Sequence, residues 1–139
     1  MIEKFNPPTV HETAGYHHVT ISAAGRLAHL AGQCPLDLAG SVVGEPGDRS
    51  PATFEAQTAQ VITNCLAVLA AAGATPADVV RSVIYVVSPD SGVLAAVWRQ
   101  LGESALAPAF TTASTLLGVA ALGYRHQLIE IDLTAALPG

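Results

Sequence analysis

One carboxylate stands out for where it falls. In Gln127-Leu128-Ile129-Glu130-Ile131-Asp132-Leu133 the residue types alternate, so a strand places Ile129, Ile131 and Leu133 on one face and Leu128, Glu130 and Asp132 on the other. Glu130 is thus mid-strand in a chain with only 11 acidic residues. A carboxylate there either faces water or lies in a pocket, where it can orient a water or act as a general base. Residue pattern alone leaves both readings open. The same holds for Tyr16, a core aromatic or a cleft residue, and for the Thr111-Thr112 hydroxyls.

Other chemistry is poorly served. The five histidines, His11, His17, His18, His29 and His126, show no spacing that sets two imidazoles on one face near a third ligand, so no metal site is expected. No G-x-S-x-G elbow exists, and Cys34 has no activating neighbour in sequence. Cys34 and Cys65 form no CxxC or zinc spacing and read as reduced packing residues. Gly40, Gly44 and Gly47 lack the spacing and the lysine of a phosphate-binding loop.

The elements that must position Glu130 follow from periodicity and punctuation. Tyr16 to Ile21 and Leu27 to Ala31 predict two strands joined as a hairpin at Ala24-Gly25. Pro35 to Gly47 is turn-rich, with one short strand at Ser41–Val43. A helix is predicted from Pro51 to Ala72, with Ser50 as N-cap and Gly73 as its stop. Phe54, Thr58, Val61, Cys65 and Leu69 form its apolar stripe, while Gln57, Gln60 and Asn64 read as a wet neighbouring face. Thr75 to Asp78 is a capping-box-like start of one short turn. The β-branched run Val79 to Val87 predicts a central strand, and Gly92 to Gly102 a second helix. Pro108 to Leu117 and Gln127 to Leu133 complete the order β-β-α-β-α-β-β, a single α+β domain over residues 1–139 with a mixed sheet and both helices on one face.

Composition narrows the partners. Half the residues are hydrophobic and 12% are charged, about half the roughly 25% of an average soluble domain, so little charge is left to cover a monomer. The bare sheet face calls for a cover, and a second copy of the chain is the simplest one. A net charge of −5 with scattered basic residues offers no footprint for nucleic acid. The longest apolar run, Cys65 to Ala72, is far shorter than the ~20 residues a bilayer requires, so no membrane association is expected. The N-terminus reads as lacking a secretory signal, which makes the cytoplasm the expected location.

In their order and spacing, several segments together resemble the RidA family, also called YjgF/YER057c/UK114. They are Gly15-Tyr16, Ala31-Gly32-Gln33-Cys34-Pro35, Gln57-Thr58 with Asn64, Ala72-Gly73, Val79 to Tyr85, Pro108-Ala109 and Ile129 to Asp132. The resemblance implies a chorismate-mutase-like homotrimer that binds a small-molecule substrate or ligand in three clefts between subunits. It also implies hydrolysis of enamines and imines to ketoacids and ammonia with no cofactor. Glu130 matches the family glutamate that positions the attacking water, and Tyr16 the cleft tyrosine.

Other cleft positions depart from the pattern. Phe110 stands where an arginine clamps the substrate carboxylate, Thr112 where a cysteine is usual, Ala31 where a serine precedes Gly32-Gln33, and Trp98 where an asparagine is usual. The implied substrate-binding set is therefore Tyr16, Ala31, Gln33, Trp98, Phe110 and Thr112, around an apolar cleft. A ring cannot neutralise a carboxylate, and removing a buried charged partner costs ~3–5 kcal/mol, which argues against 2-iminoacid substrates. The resemblance leaves two functions: a hydrolase acting on an imine-like molecule without a carboxylate, or a non-catalytic binding module for apolar metabolites or chaperone-like trimer. The family's older endoribonuclease label fits poorly with the acidic charge balance.

Overall fold

The computed structural model describes all 139 residues. Its strands are β1 (Ile2–Phe5), β2 (Val19–Ser22), β3 (Leu27–His29), β4 (Val79–Val86), β5 (Ala113–Gly118) and β6 (Ile129–Ala136), and its helices are α1 (Pro51–Ala71) and α2 (Ser91–Gly102). A four-stranded sheet runs β3-β6-β4-β5, and β1 pairs with β2 as a separate two-stranded ribbon. Only β4 and β5 run parallel, joined through α2. The sheet is mixed, as the sequence predicts, and the β-branched run of β4 lies at its centre because both of its edges are paired.

Alternation decides what each face does. Ser82, Ile84 and Val86 of β4 and Ile129, Ile131, Leu133 and Ala135 of β6 are buried. All but Ser82 join Phe54, Val61, Cys65 and Leu69 of α1 and Val97 and Leu101 of α2 in one buried hydrophobic core. The opposite face carries Arg81, Val83 and Tyr85 beside Glu130, Asp132 and Thr134, and no helix of the chain covers it enough to bury them. Glu130 is directly across from Tyr85 on that face. No helix is long and apolar enough to cross a membrane.

The helix signals act as their residue types require. Ser50 is the N-cap residue of α1 and Pro51 opens it, though the Ser50 hydroxyl turns to Asp48 at 2.5 Å and caps no backbone N–H. Gly73 takes a φ of 81°, which a side chain would strain, and so ends the helix. The Asp78 carboxylate accepts from the Thr75 N–H at 2.7 Å, closing the short turn before β4.

Four expectations are corrected. β2 and β3 do not form a hairpin: β2 pairs with β1, and β3 with β6. A primed hairpin turn needs a left-handed residue, and Gly25 is not among the positive-φ residues. A further strand, β1, precedes the predicted set, giving β-β-β-α-β-α-β-β. Residues Ala107–Phe110 form a 3-10 turn, because Pro108 has no N–H for a ladder, and the strand starts at Ala113. The segment at Ser41–Val43 contributes only one isolated bridge, Leu36 to Val42.

The face of α1 expected to be wet is also buried at Gln57, while Gln60 and Asn64 are half-buried. Gln57 is 1% exposed; its amide donates to the carbonyls of Val43 (3.2 Å) and His126 (2.9 Å) and accepts from the Leu128 N–H (2.8 Å). Periodicity cannot tell a solvated amide from one buried with every partner supplied. Replacing Gln57 with Leu keeps the volume and strands three backbone groups, so we expect a loss of about 3 kcal/mol or more in urea unfolding. Stability within about 0.5 kcal/mol of wild type would show that these bonds are not made in solution.

Candidate functional site

Glu130 reaches its place because Gln33 bridges to the same strand one residue on. The Gln33 N–H donates to the Ile131 carbonyl at 2.7 Å and the Ile131 N–H to the Gln33 carbonyl at 3.1 Å. This draws Gly32-Gln33-Cys34 alongside the half-buried Glu130 side chain. A Cβ on Gly32 would lie 2.8 Å from the Glu130 carboxyl carbon and would collide with Oε2. A side chain at position 32 would therefore push the Glu130 carboxylate aside, so this glycine serves a close approach rather than a special backbone angle.

The carboxylate is held on one side. Oε1 accepts from the Cys34 thiol at 3.2 Å and from the Gln127 amide at 3.2 Å. Burial, followed by the hydrogen bond to Glu130 and its charge, pushes the Cys34 thiol up to about 11, with the Gln127 amide pulling the other way. Cys34 is thus a protonated donor at neutral pH. Its own carbonyl, and that of Leu36, accept from the Asn64 amide of α1 at 2.9 Å each. Gln33, half-buried, turns its amide back to the Ala31 carbonyl at 2.9 Å, while Ala31 is exposed.

The aromatic residues gather elsewhere. Trp98 of α2 meets Tyr16 edge-on at 6.3 Å and Phe110 at 6.0 Å between ring centroids, arrangements that suit the ring quadrupoles. Its indole N–H donates to the Ala14 carbonyl at 3.2 Å. Phe110 is buried. Two cavities flank the Trp98 ring, one of about 430 Å³ bounded by Gly15, Pro108 and Phe110, the other of about 560 Å³ bounded by Tyr16, Leu94 and Leu116. Thr112 is fully buried, and its hydroxyl shares a 2.6 Å hydrogen bond with that of Thr20.

Glu130 lines neither cavity. Along β4 it faces Tyr85, whereas Ala113, which follows the aromatic segment, faces Arg81. Four residue steps separate these rows, or about 13 Å at strand rise. One chain therefore sets Glu130 against Gly32 and Cys34, with Ala31 and Gln33 in the same segment but not shown against the carboxylate, and brings Tyr16, Trp98 and Phe110 together, with Thr112 outside both cavities; it does not bring the two groups to each other.

The basic residues are placed as follows. Arg81 donates to the Ala113 carbonyl at 3.3 Å and to the Thr115 hydroxyl at 2.8 Å. Lys4, its pKa lowered by burial, donates to the Thr111 hydroxyl at 2.8 Å. Arg99 and Arg125 line separate surface clefts, neither of which includes Glu130 or the three aromatic residues, although the Arg125 cleft is shared with Gln127. His17 contacts the Thr111 carbonyl, while His18 meets the carbonyl of His11 at 2.9 Å and packs edge-on against its ring, 4.7 Å between centroids.

Sequence reading missed Gly32, Cys34, Asn64 and Gln127 as members of the Glu130 group. Gln127 carried a signal, a polar residue just ahead of the alternating strand, but its partners depend on a loop that periodicity does not describe.

The profile described as Endoribonuclease L-PSP matches residues 8–137, almost the whole chain. The chain belongs to this family. Among solved structures it is similar to YyfB from Yersinia pestis, a protein of unknown function of the conserved Rid protein family, with 39% identity, 98% of each chain covered and a TM-score of 0.83. It is also similar to Rv2704 of the YjgF/YER057c/UK114 family from Mycobacterium tuberculosis, with 28% identity over 99% of this chain and 100% of that one and a TM-score of 0.53. A third is NMB1025, a YjgF-family protein from Neisseria meningitidis, with 25% identity, 100% and 97% coverage and a TM-score of 0.63. No curated protein sequence matches significantly. The Endoribonuclease L-PSP assignment and these neighbours agree with the chorismate-mutase-like α+β arrangement, two helices against a mixed sheet.

The thiol environment gives a direct check on the Glu130 group. Thiolate share rises tenfold per pH unit below the pKa, so at pH 8 a thiol at about 11 holds about 100-fold less thiolate than an ordinary cysteine at 9. We expect iodoacetamide to label Cys34 slowly at pH 8 and progressively faster up to about pH 11; a rate that levels off near pH 9 would contradict the arrangement.

Proposed function

We propose that this family member is a small-molecule hydrolase of the enamine/imine deaminase type, working as a homotrimer with its clefts between neighbouring copies, and that 2-iminoacids are not its substrates. The observation that carries this reading is Glu130 itself: a half-buried carboxylate fixed on one oxygen by Cys34 and Gln127, with the other against a residue that has no side chain. Such a group is suited to take a proton from water as the water adds to an imine carbon. The carbinolamine then loses ammonia as the proton returns to nitrogen, so that imine and water give carbonyl compound and ammonia, with no redox partner.

The cleft composition supports the substrate limit. Phe110, where the family resemblance implies a carboxylate clamp, is buried against Trp98 and offers no donor. Arg81 and Lys4 are engaged with Thr115, Ala113 and Thr111. A second copy supplies what one chain lacks: its Tyr16–Trp98 group against the Glu130 of its neighbour, over the sheet face left uncovered. The buried, engaged Thr112 hydroxyl and the cavities beside Trp98 favour a second reading, a non-catalytic module binding apolar metabolites.

Ammonia release from freshly generated imines separates the two. We expect turnover of an imine without a carboxylate, little on 2-iminoacids, and a fall on the order of 100-fold for Glu130→Ala. Phe110→Arg should gain iminoacid activity if the clamp alone is missing. A wild type inert on every imine would hand the site to the binding-module reading.

A further inference from the structure

Glu130 is held from one side only, and the residues that hold it are themselves fastened to α1. Gln127 is 3% exposed and every polar atom of its amide is used. Its Oε1 accepts from the Tyr124 N–H at 3.0 Å, so its NH2 is turned the other way, donating to the Ile129 carbonyl at 3.0 Å and to Glu130 Oε1 at 3.2 Å. The amide cannot flip without losing all three. The backbone on both sides of it is pinned by buried Gln57, which binds the His126 carbonyl and the Leu128 N–H. His126 has a left-handed φ of 67°, uncommon for a residue with a side chain, and this is the bend that turns Gln127 inward.

The second donor arrives from the other direction. Cys34 is carried by a segment tied to α1 through Asn64 and to β6 through the Gln33–Ile131 bridge. Its thiol donates to the same oxygen, Oε1, that Gln127 uses. Two donors on one oxygen fix the plane of the carboxyl group and leave Oε2 against Gly32, with no hydrogen-bond donor of the chain on it.

We propose that Gln127 and Cys34 are positioning residues which dedicate Oε1 of Glu130 to the protein and leave Oε2 as the oxygen that meets water. The assignment rests on the reading of Glu130 as the working base. It gives Cys34 a role other than packing and makes the loop before β6 part of the site.

The test combines kinetics on an uncharged imine with labelling of Cys34. Cys34→Ala and Gln127→Ala should each lower kcat about tenfold with KM little changed. Cys34→Ser, which restores an O–H donor, should recover most of the loss, whereas a packing role would respond to side-chain volume and not to the donor. Gln127→Glu, which puts a carboxylate where a donor was, should fall further than Gln127→Ala. If the Gln127 variants do not fold, the Ala and Ser pair at Cys34 carries the kinetic test. In the labelling arm, burial continues to raise the Cys34 thiol but Glu130→Gln removes the part due to the carboxylate, so iodoacetamide should modify Cys34 at pH 8 several-fold faster than in wild type.

A kcat unaffected by either alanine variant would overturn the proposal while leaving the hydrolase reading intact. A wild type without imine turnover would remove that reading, and labelling alone then decides: acceleration in Glu130→Gln keeps the hold on Glu130, and an unchanged rate ends it.

Discussion

Two backbone hydrogen bonds between Gln33 and Ile131 set the geometry of the Glu130 group. They lay an irregular segment against an otherwise regular strand and bring Gly32 and Cys34 up to the side chain of Glu130. Alternation along β6 then does the rest: Ile129, Ile131 and Leu133 are committed to the core, so Glu130 must emerge on the opposite face. A slip of one residue in that bridge would set the segment against a core residue instead. The carboxylate's surroundings follow from this register.

The same register keeps the Glu130 group and the Trp98 group apart within one chain. Helix α2 carries Trp98 to the Phe110 end of the molecule, while Glu130 lies four strand positions away, beside Tyr85. Each end has what the other lacks. The Glu130 end has a fixed carboxylate and polar backbone but few apolar side chains, and the Trp98 end has rings and cavities but no acid among its lining residues. A chain with 12% charged residues and an uncovered sheet face is suited to joining the two ends across an interface.

Much of this was legible in the sequence where period and punctuation agree. The stripe of α1 from Phe54 to Leu69, the central placement of β4 and the two faces of β6 follow from apolar spacing, and Gly73 and Thr75-Asp78 from local hydrogen bonding and backbone freedom. The hairpin expected at Ala24-Gly25 did not form, because adjacency in sequence suggests pairing but the partner is chosen by the whole sheet. Gln57, Asn64 and Cys34 were read as wet or as packing because their roles are set by carbonyls and a carboxylate 14 to 96 residues away. Propensity and periodicity describe what a residue does to its own element, and these three act on other elements. Glu130 was legible as a mid-strand acid, and its family context marked it out; its holding partners needed the fold.

The central claim is that a working site is assembled from the Glu130 group of one copy and the Trp98 group of another. Subunit mixing tests it most directly: Glu130→Ala and Trp98→Ala proteins, each inactive alone, are unfolded together, refolded at equal amounts and assayed on an uncharged imine. With a head-to-tail ring, a site has both halves intact when each neighbour is of the right kind, so about one quarter of wild-type activity should return. No recovery, in mixed oligomers shown to have formed, would mean that the two halves do not meet across an interface and would contradict the account.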